Sequence, residues 1–246
     1  MNLSIFRTKM KLGSAAAAAG ADKIREALAT REEVSIVMAS AASQFEVVDA
    51  LLRETGIEWD RIVLFHLDEY IGLEEEHPAS FSRFLRDRFV DKLPHALKGF
   101  HAINGCADPG LECARLGVMI ERSVPAVAFI GIGENGHIAF NDPPADFDTK
   151  APYITVKLDE ECRQQQVGEG WFTELKSVPE HAISMSVRQV LKAERIICTV
   201  PDVRKAPAVR SAVEEEVSPE IPATILQQHS DCRLFLDDPS ASLLTR

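Results

Sequence analysis

Apolar runs rich in β-branched residues alternate along the chain with segments whose apolar positions recur at helical spacing. That alternation predicts an α/β fold, an open, mostly parallel Rossmann-like sheet flanked by helices in three layers. Strands are expected over residues 34–40, 62–67 and 126–130, and then over 153–158, 182–187, 195–200 and 233–236. Helices are expected over 42–52, over 78–93 with Pro78 in the first turn, and over 109–122. Further helical segments follow Arg204 and cover residues 223–228. No internal repeat or long linker interrupts residues 1–246, which are expected to form a single domain. The polar stretch 162–179, with Gly168 and Gly170, suggests irregular structure, and residues 144–180 are a candidate mobile flap.

One strand runs into Gly131-Ile132-Gly133-Glu134-Asn135-Gly136-His137-Ile138-Ala139-Phe140-Asn141-Asp142-Pro143-Pro144. This stretch spells the dinucleotide fingerprint Gly-x-Gly-x-x-Gly, which requires a helix straight after the third glycine to hold a pyrophosphate. Here two prolines follow within eight residues of Gly136 and leave no room for a useful helix. The glycines are instead expected to let the backbone turn sharply and approach a ligand, with His137 as the reactive group. A buried, satisfied histidine is the commoner alternative for His137 taken alone.

A second cluster, His66-Leu67-Asp68-Glu69-Tyr70-Ile71-Gly72-Leu73, follows another apolar strand. Ligands of open α/β sheets bind beyond the strands' carboxyl ends, which is where Asp68 falls. Extended geometry sends Asp68 and Glu69 to opposite faces, so only one of them should meet the ligand. Acids in this position also cap following turns. A third candidate is Ser40-Ala41-Ala42-Ser43, where turn amides and two hydroxyls would cradle an anion, although helix capping by Ser40 explains the same residues. Lys205, beside Arg204, would add a cation at that edge, or the pair is simply solvated. Together these groups suit proton transfer on a small phosphorylated metabolite.

Composition narrows the picture. A formal net charge of −11 argues against a nucleic-acid surface and against an anionic membrane, so an anionic ligand must rely on a few local cations or amides. The five cysteines show no C-x-x-C spacing and give a zinc site little support. They fit reduced thiols of a cytoplasmic protein. Residues 15–19 are alanines behind Arg7, Lys9 and Lys11, superficially like a signal peptide, but they continue as an ordinary helix.

The segments Leu67-Asp68-Glu69-Tyr70-Ile71-Gly72-Leu73 and 131–143, in this order, resemble the two signature stretches of the glucosamine-6-phosphate deaminase (isomerase) family. The resemblance extends over residues 34–236 and includes Lys205-Ala206. It implies conversion of glucosamine 6-phosphate and water to fructose 6-phosphate and ammonia, without an organic cofactor or a metal. By position, Asp68 would be the base that moves a proton from sugar C2 toward C1. His137 would open the pyranose ring, with Asp142 orienting the imidazole. Ser40, Ser43 and Lys205, with the amides around Ala41 and Ala42, would hold the phosphate. The chain departs from the family pattern at Asn135, where Asp is usual, at Asp142, where a longer Glu is usual, and in the two alanines of the phosphate turn. Arg163 is the candidate stand-in for the arginine usual in the middle flap.

Two other readings remain. A 6-phosphogluconolactonase-like hydrolase would share the fold and a similar glycine-histidine segment, but typically has Arg after the Asp-Glu pair, where this chain has Tyr70. A non-catalytic sugar-phosphate sensor would tolerate Asn135 and the altered turn. A homo-oligomer is expected only by analogy with metabolic enzymes.

Overall fold

A computed structural model describes residues 1–245. In chain order the elements are β1 (Asn2–Phe6), α1 (Lys9–Leu28), β2 (Val34–Met38), α2 (Phe45–Leu51), β3 (Ile62–His66), β4 (Asp68–Tyr70), α3 (Phe81–Arg88), β5 (Gly99–His101), α4 (Pro109–Ile120), β6 (Val127–Ile130), β7 (Tyr153–Lys157), α5 (Glu160–Gly168), β8 (His181–Met185), α6 (Val187–Val190), β9 (Arg195–Val200), α7 (Ala206–Glu214) and β10 (Cys232–Asp237). Seven strands form one parallel sheet in the order β1-β10-β9-β6-β2-β3-β5. β2, β3 and β6 are buried along their whole length, as expected of strands covered on both faces.

Alternate residues of these strands feed two separate cores. Ile36, Leu64, Val127 and Phe129 pack with α1, α2 and α3. Val37, Phe65, Ala128 and Ile130 pack with α4, α6 and α7 on the other side. The three-layer α/β expectation is therefore met. The chain also builds a feature that the pattern does not announce, a small antiparallel sheet in the order β4-β8-β7. The predicted strands at 153–158 and 182–187 belong to it rather than to the parallel sheet.

Other boundaries differ for local reasons. The helix expected over 78–93 is only Phe81–Arg88, because Ser80 accepts the Arg83 N–H and caps it, so Pro78 lies outside the helix. The segment 162–179 is not wholly irregular, since Asp159 caps α5 by accepting the Cys162 N–H. β1, β4 and β5, of three to five residues each, carry too short a pattern to be read.

The alanine run is a packing surface. Ala16 and Ala17 are fully buried, and Gly20 brings α1 so close to β6 that a Cβ there would stand 2.3 Å from Cζ of Phe129. Phe129 is itself fully buried and cannot swing away. Gly20→Val should therefore destabilise the protein by about 2–3 kcal/mol. A thermal melt should show this as a loss of roughly 2–4 °C per kcal/mol, and an unchanged Tm would refute such close packing.

Candidate active site

The chain leaves β2 and β6, neighbours in the sheet, toward opposite edges: β3 and β5 lie beyond β2, while β9, β10 and β1 lie beyond β6. The crevice at such a reversal, outside the strands' carboxyl ends, is the binding position of open α/β sheets. A cavity of about 540 Å³ lies there, lined by Ser40, Ala41, Ala42, Ser43, Asp68, His137 and Lys205. Seven of the nine predicted site residues thus share one cavity. Asn135 and Asp142 stand behind its wall and act on His137.

The two loops at the reversal are fastened together by a residue that the sequence did not single out. Gln44 donates to the Ile130 carbonyl at 3.0 Å, to Thr199 Oγ1 at 2.8 Å and to Ser43 Oγ at 3.1 Å, tying the 40–43 turn to β6 and β9. Ser40 does not cap a helix. Its hydroxyl lies 3.2 Å from Nε2 of His66, whose burial lowers its pKa to about 3 and keeps the ring neutral.

The glycine segment turns as expected, but its closest approach is to the protein's own side chain. A Cβ on Gly133 would lie 2.2 Å from Cε1 of His137, so only glycine lets the imidazole stack on this backbone. Gly136, at φ +85°, makes the turn itself.

His137 is nine-tenths buried, with Nδ1 3.1 Å from Oδ1 of Asp142. Nδ1 makes no aligned hydrogen bond, so the two groups form an ion pair when the imidazole is protonated. Burial works to raise the Asp142 carboxyl, but His137, the Asp159 N–H and Asn135 outweigh it and hold the group below the usual range. Asn135 accepts the His137 N–H at 3.1 Å and donates through one amide nitrogen to Asp142 at 3.1 Å and to Asp159 at 2.9 Å. The second carboxylate of this network comes from Asp159, distant in sequence, and an amide is the right bridge between two acids.

The Asp68 and Glu69 side chains diverge as alternation predicts. Glu69 accepts from Tyr70 N, Ser80 Oγ, Phe81 N and Ser82 N and so fastens the start of α3. Asp68 faces the cavity, and burial, with the Glu69 charge adding, pushes its pKa up to about 8. A carboxylate in that range is a far stronger base than an exposed one.

At the other end, Lys205 closes a short 3-10 turn, Val203–Lys205, and its ammonium lies 3.7 Å from Glu169. Burial lowers the pKa of Lys205 while Glu169 opposes the shift. Arg163 is not at this end. It donates to the carbonyls of Leu175 and Val178, both at 2.9 Å, and lines a separate cavity. Gln165, Gln166 and Glu169 of the α5 segment line the main cavity instead, and the sequence did not mark them. Among the described residues, His137, Asp142 and Cys162 place ligand atoms within 4.8 Å of one another. Burial, Asp142 and Asp159 drive the Cys162 thiol pKa well upward, so it stands as a neutral thiol, unlike a metal-binding thiolate.

Two outcomes follow from these environments. Asn135→Asp puts a third acid between Asp142 and Asp159, which should lower stability by about 1–3 kcal/mol at neutral pH and less in acid, where the introduced carboxyl takes up a proton. Melts at pH 7.5 and pH 4.5 check this, and equal Tm values for variant and wild type at pH 7.5 would contradict the bridge. Asp68 has a folded-state pKa raised above its unfolded value of about 3.9, so its contribution is fully present below pH 4 and is lost as pH rises through about 8. Asp68→Asn should therefore be more stable than wild type at pH 8–9 and show a flatter stability curve between pH 4 and 8. Identical curves for the two proteins would rule out the buried-acid assignment.

The family described as glucosamine-6-phosphate isomerases/6-phosphogluconolactonase matches residues 7–235. A glucosamine-6-phosphate deaminase of Exiguobacterium sibiricum is 34% identical over 214 residues, covering 87% of this chain and 82% of that protein. One from Bacillus cereus is 32% identical over 244 residues, covering 99% and 89%. A solved structure described as a monomeric glucosamine-6-phosphate deaminase superposes with a TM-score of 0.91 at 29% identity, covering 99% of this chain and 100% of that one. A putative 6-phosphogluconolactonase of Neisseria gonorrhoeae gives 0.77 at 16% identity over 96% and 99% of the two chains, a likeness of fold. The chain belongs to the glucosamine-6-phosphate isomerase/6-phosphogluconolactonase family.

Proposed function

We propose that this protein converts glucosamine 6-phosphate and water to fructose 6-phosphate and ammonia, as a step of amino-sugar catabolism. The observation that carries the reading is the placement of a strongly basic carboxylate, Asp68, and a carboxylate-backed imidazole, His137, on the walls of one cavity. A cavity of about 540 Å³ suits a hexose phosphate, within the usual range for small-ligand sites. The curated relatives named as deaminases support the same reaction.

In this reading His137 relays the proton from the C1 hydroxyl to the ring oxygen, and the pyranose opens to an aldehyde. The Asp142 charge favours the imidazolium formed on the way. The C2–H beside the aldehyde is then acidic, and Asp68 removes it and returns a proton to C1. The resulting C2 imine takes up water and releases ammonia, leaving the ketose. Ser40, Ser43, the turn containing Ala41 and Ala42, and Lys205 would bind the phosphate, whose remote binding energy aligns the reacting carbons. Residues 1–246 act in this reading as one domain, and the five free cysteines support a reducing, cytoplasmic setting.

Purified protein should release ammonia from glucosamine 6-phosphate, and Asp68→Asn or His137→Gln should lower kcat on the order of 100-fold or more. In the free enzyme kcat/KM should climb with pH and level off above about 8, as Asp68 ionises. Loss of 6-phosphogluconolactone with no ammonia would overturn this assignment in favour of a hydrolase, and binding with neither reaction would point to a sensor.

A further inference from the structure

The distal end of the cavity holds its cations in a committed state. The Lys205 ammonium and the Glu169 carboxylate face each other at 3.7 Å with side chains only 7% and 6% exposed. Glu169 follows the last residue of α5 and is held from behind by Gln165 Nε2 at 2.8 Å and by the indole N–H of Trp171 at 3.2 Å. Arg204, next to Lys205, is likewise 3.3 Å from Asp202 and 3.7 Å from Glu134. Each of these two cations therefore already meets a carboxylate. Gln166, also on α5, is buried on the cavity wall with its side-chain oxygen unpartnered.

Phosphate binding needs ammonium protons that are free to turn toward it, and a fixed negative charge beside them repels the incoming dianion. We propose that Glu169 competes with the substrate's phosphate for Lys205 and is the residue that sets the affinity of this site for phosphorylated ligands. The inference rests on the reading of Lys205 as the phosphate cation. Binding transfers the Lys205 contact from the carboxylate to the phosphate, while Gln165 and Trp171 remain as partners for Glu169. Glu169 thus acts on substrate binding through Lys205 and has no part in the proton transfers at C1 and C2.

The test measures the Kd of inorganic phosphate by calorimetry, and KM and kcat for glucosamine 6-phosphate, in wild type, Glu169→Gln and Glu169→Ala. Removing the competing charge should tighten inorganic phosphate by about tenfold or more in both variants. KM should fall in parallel, with kcat within about twofold of wild type, because the phosphate contact strengthens equally in the ground and transition states. Glu169→Asp keeps the charge but shortens its reach, and should give a smaller gain. It covers the case in which the other two variants fail to fold. Unchanged or weaker phosphate binding in the folded variants would overturn the proposal and make Glu169 a support that positions Lys205. Tighter phosphate binding without ammonia release from any variant would leave the competition standing and sink the deaminase assignment. Ammonia release with unchanged phosphate affinity would do the reverse.

Discussion

The organising constraint of this molecule is the reversal of strand order between β2 and β6. Crossovers from these two strands lead away from each other, so their following loops cannot be filled by a packed helix and leave a crevice. The Gly131 to His137 segment occupies one lip and the 40–43 turn the other. Gln44 holds the lips at a fixed separation through its bonds to Ile130, Thr199 and Ser43. β3 ends one strand further on, and the chain turns after His66 into β4, whose pairing with β8 directs Asp68 back over the crevice.

Two physical effects then give the crevice its chemistry. Burial raises the basicity of Asp68, and the charge of the neighbouring Glu69, itself raised to about 7 by burial against four hydrogen-bond donors, adds to the effect. Beside the imidazole of His137 stands the Asp142 carboxylate, which His137, the Asp159 amide and Asn135 hold ionised against burial. A carboxylate made more basic by desolvation and an imidazole backed by a carboxylate line one cavity, the pairing that the proposed proton transfers require. Holding a carboxylate in such a place works against stability, a common trade at functional sites.

Much of this was legible in the sequence, and the reasons for the remainder are specific. β2, β3 and β6 show as continuous apolar runs because both of their faces are covered, and Asp68 and His137 stand out because they lie in the segments that follow such runs. The period-two rule also separated Asp68 from Glu69 correctly. β1 and β5 escaped notice because edge strands lack that double burial, and β4 because three residues carry no period. Asp159, Gln44 and Glu169 act through contacts 24 to 155 residues away along the chain or from a polar helix end, where composition gives no sign of a partner. Asn135 was visible as a departure from the family pattern, but its meaning was not. Only the position of Asp159 shows that an amide there joins two carboxylates.

The account stands on the claim that Asp68 is the group that breaks the C2–H bond of an opened amino sugar phosphate. The most direct check follows the loss of deuterium from glucosamine 6-phosphate labelled at C2, by NMR, in wild type and in Asp68→Asn. The account predicts that wild type removes the label with a primary isotope effect, and that the variant binds the sugar but slows label loss on the order of 100-fold or more. Removal of the C2 label by Asp68→Asn at the wild-type rate would contradict it.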